Sequence, residues 1–320
     1  MSIKMQINKR LGASLGLILG LAIYLFISGR GCGSDVPALK AFKNKADYIL
    51  IEKGERSLYF QSINGTWFIN DEKYPADINA VTKFLDKIEG LKLTDLISSQ
   101  AFYERYGLEA KDAMSVTVKS KDKVLRKLSI GNTASTGRHS FVCIDDKTEI
   151  YQAGTVFDPE QEMNVKDYRD KNICKINSSD IINVIVTYKG KTFSFDKSSK
   201  VAESGALEEK WVCREFAETA LNFNKVNQFI VSIAGLRASD FVEPPVTPNA
   251  MRNIASVLVK SKDAEATLTF FTYETKTKSD DKTYGVKSSA DVFQFVVDEW
   301  QAKKIFIENL SEFIEDANKE

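Results

Sequence analysis

The sequence predicts an α+β protein in which an N-terminal transmembrane helix precedes two tandem repeats, each a mostly antiparallel sheet packed with helix. Three observations carry this expectation: an uncharged apolar run from Leu11 to Ser28, a self-similarity of the remaining chain at a spacing of about 145 residues, and period-two alternation in the segments that recur. The predicted division is 1–30 for a signal-anchor segment, 45–170 for the first repeat and 178–320 for the second.

The chain has 320 residues, enough for two medium domains that each bury a core. Lys plus Arg number 44 and Asp plus Glu number 44, so no net field favours nucleic acid, and no nucleic-acid partner is expected. The single histidine, His139, leaves too little imidazole for a paired-histidine zinc site or a histidine-dependent triad.

Lys4, Lys9 and Arg10 precede the apolar run, whose residues span roughly 27 Å as a helix, enough to cross a hydrocarbon core. Basic residues ahead of the span favour a cytoplasmic N-terminus, placing the globular part outside a single-pass inner (cytoplasmic) membrane anchor; Arg30, Lys40, Lys43 and Lys45 weaken that asymmetry. Two alternatives stand beside the uncleaved anchor. Gly29-Arg30-Gly31 supplies the small residues of a cleavage site that would release the protein, and Cys32 followed by Gly33-Ser34-Asp35 resembles the lipidated start of a lipoprotein, although Arg30 fits that poorly. Gly12, Gly16 and Gly20 recur at every fourth position and place bare patches on one helix face, suited to packing against a membrane partner; glycine is also simply common in such helices.

Each repeat opens with a hairpin, Tyr48 to Glu52 with Ser57 to Phe60 around Lys53-Gly54, then Val184 to Tyr188 with Thr192 to Phe195 around Lys189-Gly190. Trp67-Phe68-Ile69 and Trp211-Val212-Cys213 close the extended segments that follow. A helix comes next in both. Asp77 caps the first, with Ile78, Val81, Phe84, Leu85 and Ile88 as its apolar stripe and Gly90 as a left-handed stop. Asn222 or Asn224 caps the second, with Phe223, Val226, Phe229, Ile230 and Ile233 as the stripe and Gly235 as the stop. Leu91 to Leu96 matches Leu236 to Phe241 in pattern.

The clearest recurrence is Ser115 to Asp122 against Ser256 to Asp263, which differ at one position; the lysine-rich ends of both read as hairpin turns, with a patch for lipid headgroups or wall polymer as the alternative. Further strands, Ser140 to Ile144 and Glu149 to Gln152, then Thr283 to Lys287 and Val292 to Val297, close the repeats. Ile305, Leu310, Phe313 and Ile314 predict a terminal helix supported by Trp300, Asp167 to Ser179 a polar link, Lys197 to Glu209 a surface loop, and Glu243 to Pro248 a proline-stiffened loop replacing Phe102 to Leu108. Cys143, Cys174 and Cys213 read as buried small apolar side chains, with one disulfide open in an oxidising compartment.

This order resembles the bacterial family catalogued as domain of unknown function 4340. The residues that carry the resemblance are the Tyr48 to Phe60 hairpin, Trp67, Tyr74-Pro75-Ala76-Asp77, Tyr106-Gly107-Leu108, Ile130-Gly131 and Asp167-Tyr168-Arg169-Asp170-Lys171. The resemblance implies a membrane-tethered protein found beside ABC-type transporter subunits or gliding-motility-like systems, hence an accessory role with a membrane-protein partner.

No GxxxxGK[ST] or GxGxxG loop cradles a phosphate, and no serine nucleophile stands in a recognisable activating context, so no catalytic residue, cofactor or metal is expected. Asp145-Asp146, Asp280-Asp281 and Glu208-Glu209 read as solvated loop carboxylates, and Arg138-His139 as an exposed loop pair. Trp67 and Trp211 read as core fillers, with a sugar-stacking platform as the alternative. The leading expectation is a noncatalytic accessory or scaffold protein; a module binding an envelope ligand between the repeats comes second, and a hydrolase third.

Overall fold

The structure, a computed structural model, describes residues 36–201, 207–273 and 283–314. The apolar run with Gly12, Gly16 and Gly20, Cys32 beyond it, and Asp280-Asp281 lie outside the described residues. Among the described residues no helix is long and apolar enough to cross a membrane. The chain forms two compact units that divide between Tyr168 and Arg169.

In the first unit, β1 (Tyr48–Lys53) and β2 (Arg56–Ile63) form the opening hairpin. β3 (Thr66–Ile69) and β4 (Tyr74–Pro75) extend it outward. α1 (Ile78–Glu89) starts where the Asp77 carboxylate accepts the Asn79 N–H at 2.9 Å. Then follow β5 (Leu93–Ser98), the one-turn α2 (Tyr103–Tyr106), β6 (Met114–Ser120), β7 (Lys123–Thr133), β8 (Ser140–Ile144), β9 (Ile150–Ala153), α3 (Pro159–Glu162) and α4 (Val165–Tyr168). The strands make one antiparallel sheet in the order β4-β3-β2-β1-β6-β7-β8-β9-β5.

Alternation sets the core. Ile49 faces Val118 and Ile51 faces Val116 across β1 and β6, all four buried, and α1 lays Val81, Phe84 and Ile88 over that face. Burying each of these contributes roughly 1.5–3 kcal/mol. Ile78, expected in the stripe, is exposed in the first helical turn. Tyr168 closes the cluster edge-on to Phe60, ring centroids 4.8 Å apart, and its carbonyl accepts the Asp77 N–H at 2.7 Å.

The second unit repeats the plan. It contains β10 (Ile181–Tyr188), β11 (Lys191–Val201), β12 (Leu207–Cys213), α5 (Phe223–Ala234), β13 (Asp240–Phe241), β14 (Arg252–Ser261), β15 (Glu265–Thr272), β16 (Thr283–Ser288), β17 (Gln294–Asp298) and α6 (Glu299–Lys303). Its sheet order, β12-β11-β10-β14-β15-β16-β17-β13, is that of the first unit without a counterpart of β4. The near-identical octapeptides occupy β6 and β14 with their turns, and Val257 and Val259 face Val186 and Val184 as Val116 and Val118 face Ile51 and Ile49. Asn222, rather than Asn224, caps α5, accepting the Lys225 N–H at 3.0 Å. Trp67 and Trp211 are buried at equivalent places in the two cores.

Several expectations are corrected. Gly90 and Gly235 end their helices at φ −80° and −88°, not left-handed; a Cβ at either would lie 3.0 Å from the carbonyl oxygen four residues earlier, so glycine is there for close approach. The turns of the opening hairpins are Gly54-Glu55 and Lys189-Gly190, so glycine shifts one place within the turn. Lys197 to Glu209 is not a loop: β11 and β12 continue as a paired hairpin as far as Val201 opposite Leu207, and Lys197 pairs with Glu209 at 2.8 Å.

The expected polar link after Asp167 instead buries Arg169, Ile173, Cys174 and Ile176, because Ile173, Cys174 and Ile176 join the second core and Arg169 lies over Phe241. No terminal helix spans Ile305 to Ile314. Past α6 the chain drapes over the core, stacking Phe306 on Tyr188 at 4.6 Å and setting Phe313 edge-on between Phe195 and Phe229 at 5.5 and 5.2 Å. The Phe313 carbonyl accepts the Asn222 N–H at 2.7 Å, so tertiary capture replaces helical bonds. Trp300 is exposed on α6, with Lys304 Nζ 4.5 Å over its ring.

Candidate functional site

The most differentiated surface lies where the chain enters the first unit. Val36 to Asn44 runs as a strap without regular structure, beside the β6–β7 turn and the Asp145 to Lys147 turn. Arg126 fixes the strap. It sits on β7 in register with Leu128 and Ile130, on the buried face, and is itself 5% exposed. Its Nη1 donates to the Ile88 carbonyl at 3.1 Å and its Nη2 to the Lys40 carbonyl at 2.5 Å, while Phe42 lies 5.2 Å below the guanidinium. The Phe42 N–H donates to Glu89 Oε1 at 2.8 Å. One buried cation thus joins the strap, the end of α1 and the sheet. Burial lowers the Arg126 pKa from its usual value, opposed by Asp145 and Glu89.

Between strap and turns lies a groove of about 480 Å³, floored by Leu39, Leu125, Ile144 and Tyr151. A second hollow of about 710 Å³ is lined by Lys45, Asp47, Ser62 and the β6–β7 turn. Lys123 lines both. Their rims carry Lys40, Lys43, Lys45, Lys121, Lys123 and Lys147, all exposed, against Asp47, Asp122 and Asp145. Two of those carboxylates hold turns: both Asp47 oxygens accept the Lys121 N–H at 2.8 Å, and Asp145 accepts the Lys127 N–H at 3.2 Å. In a chain with no net charge, this is a local cationic concentration.

In the second unit, the hollow at the β14–β15 turn, which corresponds to the one at the β6–β7 turn, has about 540 Å³ and is balanced. It sets Lys175, Lys197 and Lys262 against Asp180, Glu209 and Asp263. Two of its lysines are tied up, Lys175 with Asp291 and Lys197 with Glu209, each at 2.8 Å.

Other residues singled out from sequence are dispersed. Asp145-Asp146 forms an exposed turn at φ +53° and +59°, with Asp146 paired to Lys127 at 2.9 Å, and Glu208-Glu209 lies on β12. Arg138 is exposed, and His139 is half-buried with Nδ1 3.3 Å from the Thr136 hydroxyl. Cys143, Cys174 and Cys213 are free and buried, and burial pushes the thiols of Cys143 and Cys213 up to about 11. Among the described residues no three His, Cys, Asp or Glu side chains gather to hold a metal ion.

Sequence reasoning found the lysine-rich turn but missed Arg126 and the strap. The available signal was parity: Arg126 occupies an inward position in an alternating strand, where a charge stands out. The family motifs have structural duties. Gly107, at φ +67°, ends α2, and Gly131 packs so closely beneath it that a Cβ would lie 2.2 Å from the Tyr106 carbonyl oxygen. Arg169 sets its guanidinium 3.5 Å from the Phe241 ring and pairs with Glu243.

Fold and site together define a duplicated antiparallel α+β protein with a lysine-rimmed surface groove in the first repeat. The chain belongs to the family described as Domain of unknown function (DUF4340), whose model matches residues 67–255, from β3 of the first unit into β14 of the second. No curated protein and no solved structure matches it.

Proposed function

We propose that this chain is a noncatalytic, membrane-tethered accessory or scaffold protein, its two units presented outside the cytoplasm to a membrane-protein partner such as an ABC-type transporter subunit. The observation that carries this reading is the uncharged run from Leu11 to Ser28, which ends seven residues before the strap that Arg126 clamps to the first unit. A strap fixed to the fold leaves only residues 29–35 between it and the apolar run. The Gly12, Gly16 and Gly20 face supports association within the bilayer.

The test is alkaline carbonate extraction of membranes carrying the full chain, followed by protease treatment from either side and gentle detergent copurification. The expected result is retention in the membrane, digestion of the folded units only from outside, and a partner whose recovery falls on Gly16→Leu. Extraction into the soluble fraction, or a chain that purifies alone, overturns the reading.

A further inference from the structure

We propose that the lysine-rimmed groove of the first unit docks on anionic phospholipid headgroups of the bilayer that holds residues 11–28. This rests on the tether reading and adds to it a defined face and a lipid charge preference.

Three observations on different levels converge. The first is placement. Seven residues separate Ser28 from Val36, where the strap begins, and a fully extended chain spans at most about 3.3–3.6 Å per residue, so the strap stays within roughly 30 Å of the bilayer. Confinement of that kind raises the effective concentration of the groove at the lipid surface, so weak contacts suffice.

The second is charge. Lys40, Lys43, Lys45, Lys121, Lys123 and Lys147 come from three separate stretches of chain that the fold gathers around adjoining grooves. Basic side chains clustered near a leaflet are attracted to anionic lipid within about a Debye length, roughly 8 Å at physiological salt. The long lysine stems reach outward while Leu39, Leu125 and Tyr151 floor the groove, an amphipathic lining that suits a headgroup with the start of its glycerol backbone.

The third is the internal comparison. The hollow at the β14–β15 turn of the second unit sets three lysines against three carboxylates and ties Lys175 to Asp291 and Lys197 to Glu209, whereas the two adjoining hollows of the first unit together set six lysines against Asp47, Asp122 and Asp145. Generic solubility would spread charge over both. Specialisation of the first unit accounts for the difference.

The test uses the full wild-type chain in nanodiscs of phosphatidylcholine alone or mixed with phosphatidylglycerol, with acetylation of each lysine by an N-hydroxysuccinimide ester followed by mass spectrometry. The six groove lysines are expected to acetylate several-fold more slowly on the anionic discs, with Lys175, Lys197 and Lys262 as internal controls that do not change. High salt should erase the difference. Lys121→Glu with Lys123→Glu should also erase it at the remaining groove lysines. Equal slowing of all lysines, or no slowing in the groove, overturns the docking surface, as does equal protection by dissolved glycerol phosphate. Carbonate extraction of the same preparation separates the two ideas: a chain that stays in the membrane without lipid-dependent protection sinks the docking alone, whereas a chain that never inserts sinks the tether beneath it.

Discussion

The Arg126 guanidinium holds the Lys40 carbonyl at 2.5 Å across a sequence separation of 86 residues, and the same side chain donates to the Ile88 carbonyl. A buried cation satisfied by carbonyl oxygens is stable only while both acceptors stay in place, so the strap and the end of α1 are coupled through it.

Replacing this anchor should therefore cost more than its exposed neighbours do. Arg126→Ala leaves the Ile88 carbonyl without its donor and is expected to destabilise the first unit by about 1–3 kcal/mol, against less than about 0.5 kcal/mol for Lys123→Ala on the surface. Urea denaturation checks the difference. Limited proteolysis should show cleavage within 36–44 in the arginine variant before global unfolding; a strap equally resistant in both proteins would contradict the coupling.

A second expectation concerns the contact between α2 and β7. An added methyl at Gly131 meets the Tyr106 carbonyl oxygen at 2.2 Å and Leu108 Cγ at 2.9 Å. The carbonyl belongs to backbone that cannot withdraw cheaply, and Gly131→Ala is expected to lower stability by about 1–3 kcal/mol. Gly137→Ala is the control: it meets nothing within 4 Å and loses only the ease of φ +68°. Equal unfolding midpoints for the two variants would refute the packing argument.

Thiol chemistry tests burial. Cys143, Cys174 and Cys213 are buried, and their thiols are held neutral above their ordinary range, Cys143 by burial and then Glu149, and Cys213 by burial and its hydrogen bond to Glu215. Iodoacetamide at mildly alkaline pH should leave all three unmodified in the folded chain and modify them after denaturation. Because the folded values are raised, the associated stability is complete below the ordinary thiol pKa and declines as pH climbs towards about 11.

Acid sensitivity should have a local source at Glu215. Burial pushes its carboxyl up, but hydrogen bonds from the Ser194 N–H at 2.7 Å and hydroxyl at 2.6 Å outweigh that, and the net shift is downward. A depressed carboxylate stabilises the fold above its unfolded pKa, and that contribution disappears as pH falls through the folded value. Glu215→Gln should therefore be less stable than wild type at neutral pH, with the gap narrowing in acid. A gap that is constant with pH would assign the loss to packing.

Much of the architecture was legible because it was written twice. The matched octapeptides, the paired tryptophans and the caps at Asp77 and at Asn222 or Asn224 located equivalent elements before any register was known, and strand parity named the buried faces. Reading failed where distant residues compete with local preference. Lys197 to Glu209 looks like a polar loop until each half supplies the other with strand partners. Phe306 and Phe313 left a helix unformed because aromatic contacts on Tyr188, Phe195 and Phe229 hold the segment in another path.

The sequence by itself determined the duplication, the antiparallel α+β class and most core positions, since hydrophobic period and capping chemistry act over a few residues. Only the tertiary structure decided that lysines from the strap, the β6–β7 turn and the Asp145 turn gather around two adjoining hollows. Charge sums along a chain carry no position, whereas an electrostatic surface depends on distances between side chains that folding alone sets.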